Sequence, residues 1–237
     1  MSKPFAVFDI DGTLVRWQMF HAIVHHLGKQ GYIDPKTHNA IRAARMIWKN
    51  RANSESFGHY ETLLVHAYLN SLKTIDPAKY DVIVDEVFDE YKDQLFVYTR
   101  DLQKKLKKQG YFLLAISGSQ DEIIQKLAKY HGFDDAVGAA LIKQNGHYTG
   151  EIMTPVHDKA KALDELVAKH GLHYKESVGV GDTGGDIPVL AKVERPIAFN
   201  PNIELFDAAK ANGWDIVVER KNVVYQLQKA NDGYQLA

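Results

Sequence analysis

Short apolar runs recur along the chain, each bounded by turn residues, and helix-like stretches separate several of them. Runs this short and this uniformly apolar are typical of strands that are buried on both faces of a parallel sheet. The predicted strands lie at residues 5–8, 111–116, 177–180, 196–199 and 216–218. Alternation of such strands with helices predicts an α/β fold built on a doubly wound parallel sheet.

The segment from 16 to 97 breaks this alternation, because it contains no convincing strand pattern. Asp34 and Asp76 each precede a proline, an arrangement that caps a helix and opens its first turn. Residues 56–72 carry apolar side chains at helical spacing. The chain is therefore predicted to have a core at 1–15 and 98–237, with a helical domain inserted at 16–97.

Further local signals mark turns and helix ends. Ser119 and Glu122 predict a capping box, and Asn200 before Pro201 predicts another helix start. Asn-Gly at 145–146 predicts a tight hairpin turn, a strong short-range signal. Residues 231–237 are expected to fray.

Composition narrows the function classes. The chain has 237 residues, of which 45% are hydrophobic and 25% charged, and a net charge of -1. Such a balance gives no reason to expect nucleic acid or a membrane surface as a partner. There is no cysteine, which excludes disulfides, thiolate metal sites and a cysteine nucleophile. No signal-peptide pattern and no apolar run of about 20 residues is present, so we expect a cytoplasmic protein.

Two carboxylates follow the first predicted strand. Asp9 and Asp11 are one residue apart and precede Gly12. Ligands in open α/β sheets bind beyond the carboxyl ends of the strands. Like charges this close require a cation or a shared proton, although Asp-Gly taken alone is also a common turn pair.

Polar residues also follow the second and third predicted strands. Ser117 and Gly118 end the second strand before a helix, where a hydroxyl and free amides can hold a phosphate. Asp182 and Asp186 lie in the glycine-rich loop after the third strand. Taken singly, these segments also suit helix capping and a solvated acidic loop.

A lysine completes the set. Lys159 lies in the opening turn of a predicted helix and could supply a fixed positive charge. Lys161, two residues later, is the alternative for that role. One edge of the predicted sheet would therefore carry carboxylates for a hard cation. It would also carry a hydroxyl and amides for phosphate, and one positive charge. Mg²⁺ is usually held by one or two carboxylates together with substrate phosphate. The combination predicts phosphoryl transfer.

In order and in spacing, these four segments resemble the four motifs of the haloacid dehalogenase-like superfamily. The helical insert resembles the cap of phosphoserine phosphatase and its relatives. The closing segments 197–201, 213–214 and 217–220 resemble a less characterised phosphatase-like branch near that enzyme. The resemblance implies a Rossmann-like core with an inserted α-helical cap, and a Mg²⁺-dependent phosphatase acting on a small-molecule phosphate ester.

The same resemblance implies the roles of the acids. Asp9 would be the nucleophile that forms an aspartyl-phosphate, and it would also contact Mg²⁺. Asp11 would act as the general acid and base, while its backbone carbonyl binds the metal. Asp182 would be the third protein ligand of Mg²⁺. Asp186 would contact the ligands rather than the metal, or would reach the metal through a water molecule.

The phosphate would be held by a second group of residues. Its oxygens would contact the Ser117 hydroxyl and the amides of Gly118 and Gly12. Lys159 would neutralise Asp9 and the phosphate, and it is preferred over Lys161 because its spacing to Asp182 fits the family better.

The chain departs from the phosphoserine enzymes where their cap binds substrate. Gln18 stands where those enzymes carry a glutamate, and Thr62 aligns with their arginine, with Arg45 and Arg51 not far away. Phosphoserine is therefore an open but not a favoured substrate. The expected substrate contacts just after the nucleophile are Arg16, Trp17 and Gln18.

Two other functions remain open at this point. A phosphotransferase would pass the phosphoryl group to an acceptor other than water, through the same intermediate. A receiver-type signalling module also uses an aspartate, Mg²⁺, a hydroxyl and a lysine. In that module the phosphorylated aspartate lies on an interior strand and no large helical insert is expected.

Overall fold

The computed structural model describes residues 3–53, 55–154, 158–230 and 233–236. The strands are β1 (Pro4–Phe8), β2 (Phe112–Gln120), β3 (Asp135–Gln144), β4 (His147–Met153), β5 (His173–Gly181), β6 (Arg195–Phe199), β7 (Asp215–Arg220), β8 (Val223–Ala230) and β9 (Gly233–Leu236). The helices are α1 (Met19–Lys29), α2 (Pro35–Lys49), α3 (Ser56–Leu72), α4 (Pro77–Tyr91), α5 (Val97–Lys108), α6 (Asp121–His131), α7 (Lys159–His170), α8 (Ile187–Leu190) and α9 (Ile203–Asn212).

These residues divide into two compact units. The first comprises Met1–Gln18, Tyr91–Ala139 and Thr154–Ala237, and the second comprises Met19–Glu90 and Ala140–Met153. The predicted cap at 16–97 stays a prediction; the second unit starts later, ends earlier and also includes residues from β3 and β4. Asn145 and Gly146 have φ angles of 51° and 80°, which suit the hairpin turn between those strands.

A parallel sheet forms the centre of the first unit. Its strand order is β3-β2-β1-β5-β6-β7-β8-β9, and the pairs from β3 to β7 are parallel. The strands β7, β8 and β9 continue it as antiparallel neighbours. The central strand β1 is almost wholly buried, and its side chains Phe5 and Val7 pack in one apolar cluster with Leu163 and Leu166 of α7. The predicted α/β class with a Rossmann-like parallel sheet is confirmed.

The second unit is built mainly from helices. Tyr68 and Tyr80 are buried in it, and their hydroxyls lie 2.7 Å apart. Tyr148 of β4 packs edge-on against Tyr80, with ring centroids 5.3 Å apart. The hairpin joins this unit because its aromatic side chain completes the buried tyrosine cluster, a long-range contact that hydrophobic periodicity does not reveal.

The predicted capping residues were wrong at two helices. Helix α6 begins at Asp121 and its N-cap residue is Gln120, so Ser119 lies in β2 and is not the cap. At α9 the capping side chain is Asn202, whose oxygen accepts from Leu205 N at 3.0 Å, rather than Asn200. At α6 the error arises because β2 stays extended to Gln120. At α9 it arises because Asn200 has a left-handed φ of 44°, and the helix begins only at Ile203.

The C-terminal segment also differs from expectation. Residues 233–236 form β9 and pair with β8 instead of fraying, while 231, 232 and 237 lie outside the described residues. Among the described helices, none combines the length and the apolar character needed to cross a bilayer.

Candidate active site

The first catalytic candidate is placed by β1. Asp9 follows the last residue of this strand, and its backbone N–H donates to Val180 O of β5 at 2.9 Å. The chain then turns back at once, since the N–H groups of Leu14 and Val15 donate to Ile10 O. Asp9 is thereby fixed at the carboxyl end of the central strand, with its residue surface 8% exposed.

Lys159 joins two of the carboxylates. Its Nζ lies 2.8 Å from Asp9 Oδ1 and 2.7 Å from Asp186 Oδ1, and all three residues are buried. Asp158 caps α7 by accepting from Lys161 N at 2.9 Å, which fixes the first turn that carries Lys159. Buried charges of this kind are held by mutual pairing, so removal of one partner strands the others.

Asp186 uses its second oxygen to hold the loop after β5. Asp186 Oδ2 accepts from Asp182 N at 3.1 Å, from Thr183 N at 3.0 Å and from Thr183 Oγ1 at 3.2 Å. The same carboxylate thus orients both Lys159 and the backbone that presents Asp182.

Asp182 approaches the first loop closely. Thr13 Oγ1 donates to Asp182 Oδ1 at 3.3 Å. Gly12 has a φ of +78°, and a Cβ added there would lie 2.2 Å from Asp182 Oδ2. A side chain at this position would displace the carboxylate, which explains the glycine.

Asp9, Asp182 and Asp186 form a group that we call the acid cluster. Each offers a carboxylate oxygen within 4.8 Å of the oxygens of the other two. Three carboxylates against the single ammonium of Lys159 leave two negative charges uncompensated within this group. One divalent cation would balance them, and oxygen donors are the ligands that Mg²⁺ prefers.

The titration of these groups reflects their burial. Burial raises the pKa of both Asp9 and Asp182, and repulsion between neighbouring carboxylates raises it further, although Lys159 opposes the rise. Burial by itself lowers the pKa of Lys159, but the carboxylates of Asp9 and Asp186 outweigh burial and raise it. Lys159 therefore stays an ammonium, whereas Asp9 and Asp182 hold protons more readily than free carboxyls, so a cation bound by them would replace those protons.

Ser117 and Asp11 form a second contact pair. Ser117 is fully buried within β2, three residues before the strand ends, and its Oγ donates to Asp11 Oδ2 at 2.6 Å. It also accepts from Ser119 N at 3.0 Å. Ser117 and Asp11 therefore lie together, with the hydroxyl already oriented toward the loop of Asp9, and Gly118 is the next residue in β2.

The other predicted site residues have different surroundings. Arg16 contacts Glu219, with Nη2 2.8 Å from Oε1, and Trp17 stacks on Tyr91 with ring centroids 6.5 Å apart. Gln18 is half-buried at the end of the first segment of the first unit. Their predicted substrate contacts stay predictions.

Sequence reasoning missed Thr13 and Thr99. Thr99 Oγ1 donates to Thr13 O at 2.8 Å, and both residues are fully buried. Thr13 could have been found because it follows Asp9–Gly12 directly. Thr99 carries no local signal, since its partner is 86 residues away.

A sequence model of the haloacid dehalogenase-like hydrolases matches residues 6–191. The phosphoserine phosphatase SerB2 of Mycobacterium tuberculosis is 27% identical over 214 residues, covering 89% of this chain and 47% of that protein. The chain therefore spans about half the length of that relative. A histidinol-phosphatase of Neisseria meningitidis serogroup C is 26% identical over 232 residues, covering 91% of this chain and 98% of that protein.

Solved structures show the same fold. A protein of unknown function from Bordetella pertussis Tohama I superposes with a TM-score of 0.73 at 22% identity, covering 91% of this chain and 98% of that one. A phospho-aspartyl intermediate analogue of phosphoserine phosphatase gives a TM-score of 0.64 at 22% identity, covering 93% and 95%.

Proposed function

Because the chain belongs to the haloacid dehalogenase-like hydrolase family, we propose that it is a phosphatase that hydrolyses the phosphate monoester of a small molecule. One observation carries the proposal: Lys159 bridges Asp9 and Asp186 in a buried cluster at the carboxyl ends of β1 and β5. A buried aspartate beside a fixed ammonium is the arrangement that a phosphoryl-accepting nucleophile requires.

Mg²⁺ is the proposed cofactor, and the donor set fits it. Asp9 and Asp182 would offer carboxylate oxygens, Asp11 would offer its backbone carbonyl, and Asp186 would keep its bonds to Lys159 and Thr183. When bound, the metal supplies charge neutralisation and a fixed orientation for the phosphate.

The protein groups account for the covalent steps. A carboxylate oxygen of Asp9 attacks phosphorus, so a bond from Asp9 to phosphorus forms while the ester P–O bond breaks. Asp11 gives its proton to the departing alkoxide. Water then attacks the aspartyl-phosphate, Asp11 takes one proton from that water, and Asp9 is released with inorganic phosphate. Two easier steps replace one difficult hydrolysis.

The phosphate itself would be held during both steps by neutral and positive groups. Ser117 Oγ and the amides of Gly118 and Gly12 would donate to its oxygens, and Lys159 would offset the negative charge. Such donors stabilise the charge that spreads over the transferring phosphoryl group.

The substrate class is a small alcohol phosphate. The relatives named above are a phosphoserine phosphatase and a histidinol-phosphatase. Phosphoserine and histidinol phosphate are both phosphate esters of primary alcohols with an amino group on the neighbouring carbon. Phosphoserine itself is not favoured, since Gln18 is uncharged.

The test is phosphate release from a panel of esters with MgCl₂, with the Asp9→Asn variant beside the wild type. The panel contains histidinol phosphate, phosphoserine, sugar phosphates, nucleotides and a chromogenic ester. We expect turnover that Asp9→Asn reduces about a thousandfold or more, because the amide cannot accept the phosphoryl group. Folding of the variant is checked by circular dichroism.

Other outcomes identify the two rival functions. Transfer of phosphate to added glycerol in preference to water would indicate a phosphotransferase. A stable phosphoryl group on Asp9 without turnover of any ester would contradict the phosphatase proposal and indicate a signalling module.

A further inference from the structure

We propose that Glu219 is a positioning residue for the metal ligand Asp182, although it contacts neither metal nor substrate; this inference rests on the function proposed above. Glu219 lies in β7, and its side chain is 2% exposed. The proposal follows from a continuous series of contacts, all within the first compact unit, that runs from its carboxylate to Asp182.

The first step joins Glu219 to the start of α5. Its Oε1 accepts from Val97 N at 3.1 Å, and its Oε2 accepts from Tyr98 N at 2.9 Å. Helix α5 has no capping side chain of its own, since Phe96 is its N-cap residue. The carboxylate therefore supplies the cap from another strand, where it also faces the positive end of the helix dipole.

The second step joins Glu219 to Arg16, which follows the turn formed by residues 9–15. Arg16 Nη2 donates to Glu219 Oε1 at 2.8 Å, and Arg16 Nε donates to Leu95 O at 2.7 Å. The guanidinium carbon lies 5.3 Å from the centre of the Phe96 ring. The planar group thus has fixed contacts on its edges and its face, an arrangement that lysine cannot reproduce.

The third step locks residues 13–16 beside residues 94–99. Arg16 N donates to Gln94 O at 2.8 Å, and Phe96 N donates to Leu14 O at 3.0 Å. Thr99 Oγ1, one residue beyond the amides that Glu219 accepts from, donates to Thr13 O at 2.8 Å. A shift of the first turn of α5 would therefore shift Thr13.

The last step reaches the acid cluster. Thr13 Oγ1 donates to Asp182 Oδ1 at 3.3 Å, so the position of Thr13 sets the orientation of that carboxylate. A second route arrives from the same glutamate: Glu219 N donates to Asn200 Oδ1 at 2.8 Å, and Asn202 N donates to Asp182 O at 2.9 Å. The Asp182 side chain is thus linked to the Glu219 carboxylate through Thr13, whereas the Asp182 backbone is linked to the Glu219 backbone N–H, which Glu219→Gln retains.

A role limited to stability predicts a different result from a positioning role. Loss of a buried carboxylate destabilises the fold wherever it occurs, but positioning of Asp182 predicts a specific loss of Mg²⁺ affinity. Residues that orient metal ligands typically change affinity by 10- to 100-fold when replaced. The decisive measurement is therefore metal binding without substrate.

The test variant is Glu219→Gln, which keeps the shape but places an amide among three donors. The control is Asp134→Asn, because Asp134 also accepts from a lysine, Lys107 Nζ at 2.6 Å, and from a backbone amide, Leu113 N at 2.7 Å. The Tm is measured against MgCl₂ concentration for each protein. A metal that binds the folded state raises Tm by mass action.

We expect the half-saturating MgCl₂ concentration to rise about tenfold in Glu219→Gln and to stay unchanged in Asp134→Asn. At saturating MgCl₂, the KM for the best ester should stay within about twofold of the wild type, since Glu219 lies outside the phosphate contacts. An unchanged MgCl₂ requirement in Glu219→Gln, or an equal rise in the control, would overturn the inference.

A second pair of variants tests the path if Glu219→Gln fails to fold. Thr99→Val removes the hydroxyl that holds Thr13, and Thr99→Ser retains it. Thr99→Val should raise the MgCl₂ requirement several-fold, whereas Thr99→Ser should keep the wild-type requirement. An equal MgCl₂ requirement in the two variants would refute the series of contacts through Thr99.

Measurements on the wild type distinguish failure of the proposed function from failure of the positioning inference. If Mg²⁺ raises its Tm but no ester is hydrolysed, the proposed function fails and the positioning inference is still decided by the variants. If Mg²⁺ leaves its Tm unchanged, the metal assignment and the inference both fail.

Discussion

Lys159 and Lys161 stand two residues apart in α7 but have opposite surroundings. Lys159 is buried between Asp9 and Asp186, whereas the Lys161 side chain is 71% exposed and lies 3.9 Å from Glu165. The helical turn directs successive positions to different faces, so a difference of two residues separates a buried ion pair from a solvated one.

Replacement of each lysine by methionine should separate the roles. Lys159→Met leaves Asp9 and Asp186 without their buried partner, so we expect turnover to be lost and unfolding to cost about 3–5 kcal/mol less. Lys161→Met should change stability by less than about 0.5 kcal/mol and leave turnover intact. Urea unfolding and phosphate release measure both effects, and equal losses in the two variants would refute the assignment.

Gly12 combines a left-handed backbone with close contact to Asp182. Gly12→Ala should therefore lower stability by about 1–2 kcal/mol for the backbone strain and also abolish Mg²⁺-dependent turnover. Gly110→Ala is the matched control, since Gly110 has a φ of +86° and open space around it. Retained turnover in Gly12→Ala would show that the carboxylate moves aside without consequence.

At the scale of one element, α1 buries a histidine. His21 is 6% exposed, and its Nε2 has no hydrogen-bond partner among the described residues. Its ring lies 5.2 Å from that of Tyr60. Burial, assisted by the positive charge of Arg45, lowers the pKa of His21 to about 4.

This lowered pKa predicts acid sensitivity of the fold. The unfolded chain takes up a proton near pH 6.5 and the folded His21 does so near pH 4, so the stability supplied by neutral His21 is complete above pH 6.5 and is lost as pH falls toward 4. We expect a loss of about 2 kcal/mol between pH 8 and pH 5 that is absent in His21→Gln. Urea titrations at both pH values measure it; the same loss in the variant would assign the effect to other groups.

Helix N-termini show what sequence signals within a single element can and cannot predict. Asp34 was predicted correctly, because its side chain accepts from Thr37 N within one turn. The prediction for Ser119 was wrong, because β2 continues to Gln120, which pairs with Ala139 of β3. A cap is local chemistry, but whether the chain is still extended at that point depends on a strand brought from elsewhere.

At the scale of the whole molecule, β8 and β9 close one side of the sheet. Leu227 and Tyr234 pack against the apolar cluster of Leu205, Ala209 and Ile216. Tyr234 Oη lies 3.0 Å from Ala209 O and 2.9 Å from Trp214 O. Antiparallel pairing with β8 covers the edge of β7, which would otherwise present unpaired backbone groups.

A chain ended after Arg220 should therefore lose most of its stability and aggregate. Tyr234→Phe is the mild comparison and should cost about 1 kcal/mol for the lost hydrogen bond. Thermal unfolding and size-exclusion chromatography distinguish the two. A truncated chain that stays monomeric with an unchanged Tm would show that the β8–β9 hairpin is dispensable.

The five predicted strands were found because each is a short apolar run that is buried on both faces, as β1 and β6 illustrate. Strands β3, β4, β8 and β9 were missed as strands, although the Asn-Gly turn between β3 and β4 was predicted. Their burial is partial and irregular, so neither a continuous apolar run nor a regular alternation marks them.

The sequence by itself determined the α/β class, the alternation of elements and the set of candidate site residues, since these depend on local periodicity and on residue type at strand ends. Tertiary structure decided which lysine is buried, which oxygen of Asp186 faces Lys159, and that Glu219 lies against Arg16. The last pair is 203 residues apart in sequence. Contacts over such separations depend on how strands are ordered in the sheet, and local sequence patterns carry no information on that order.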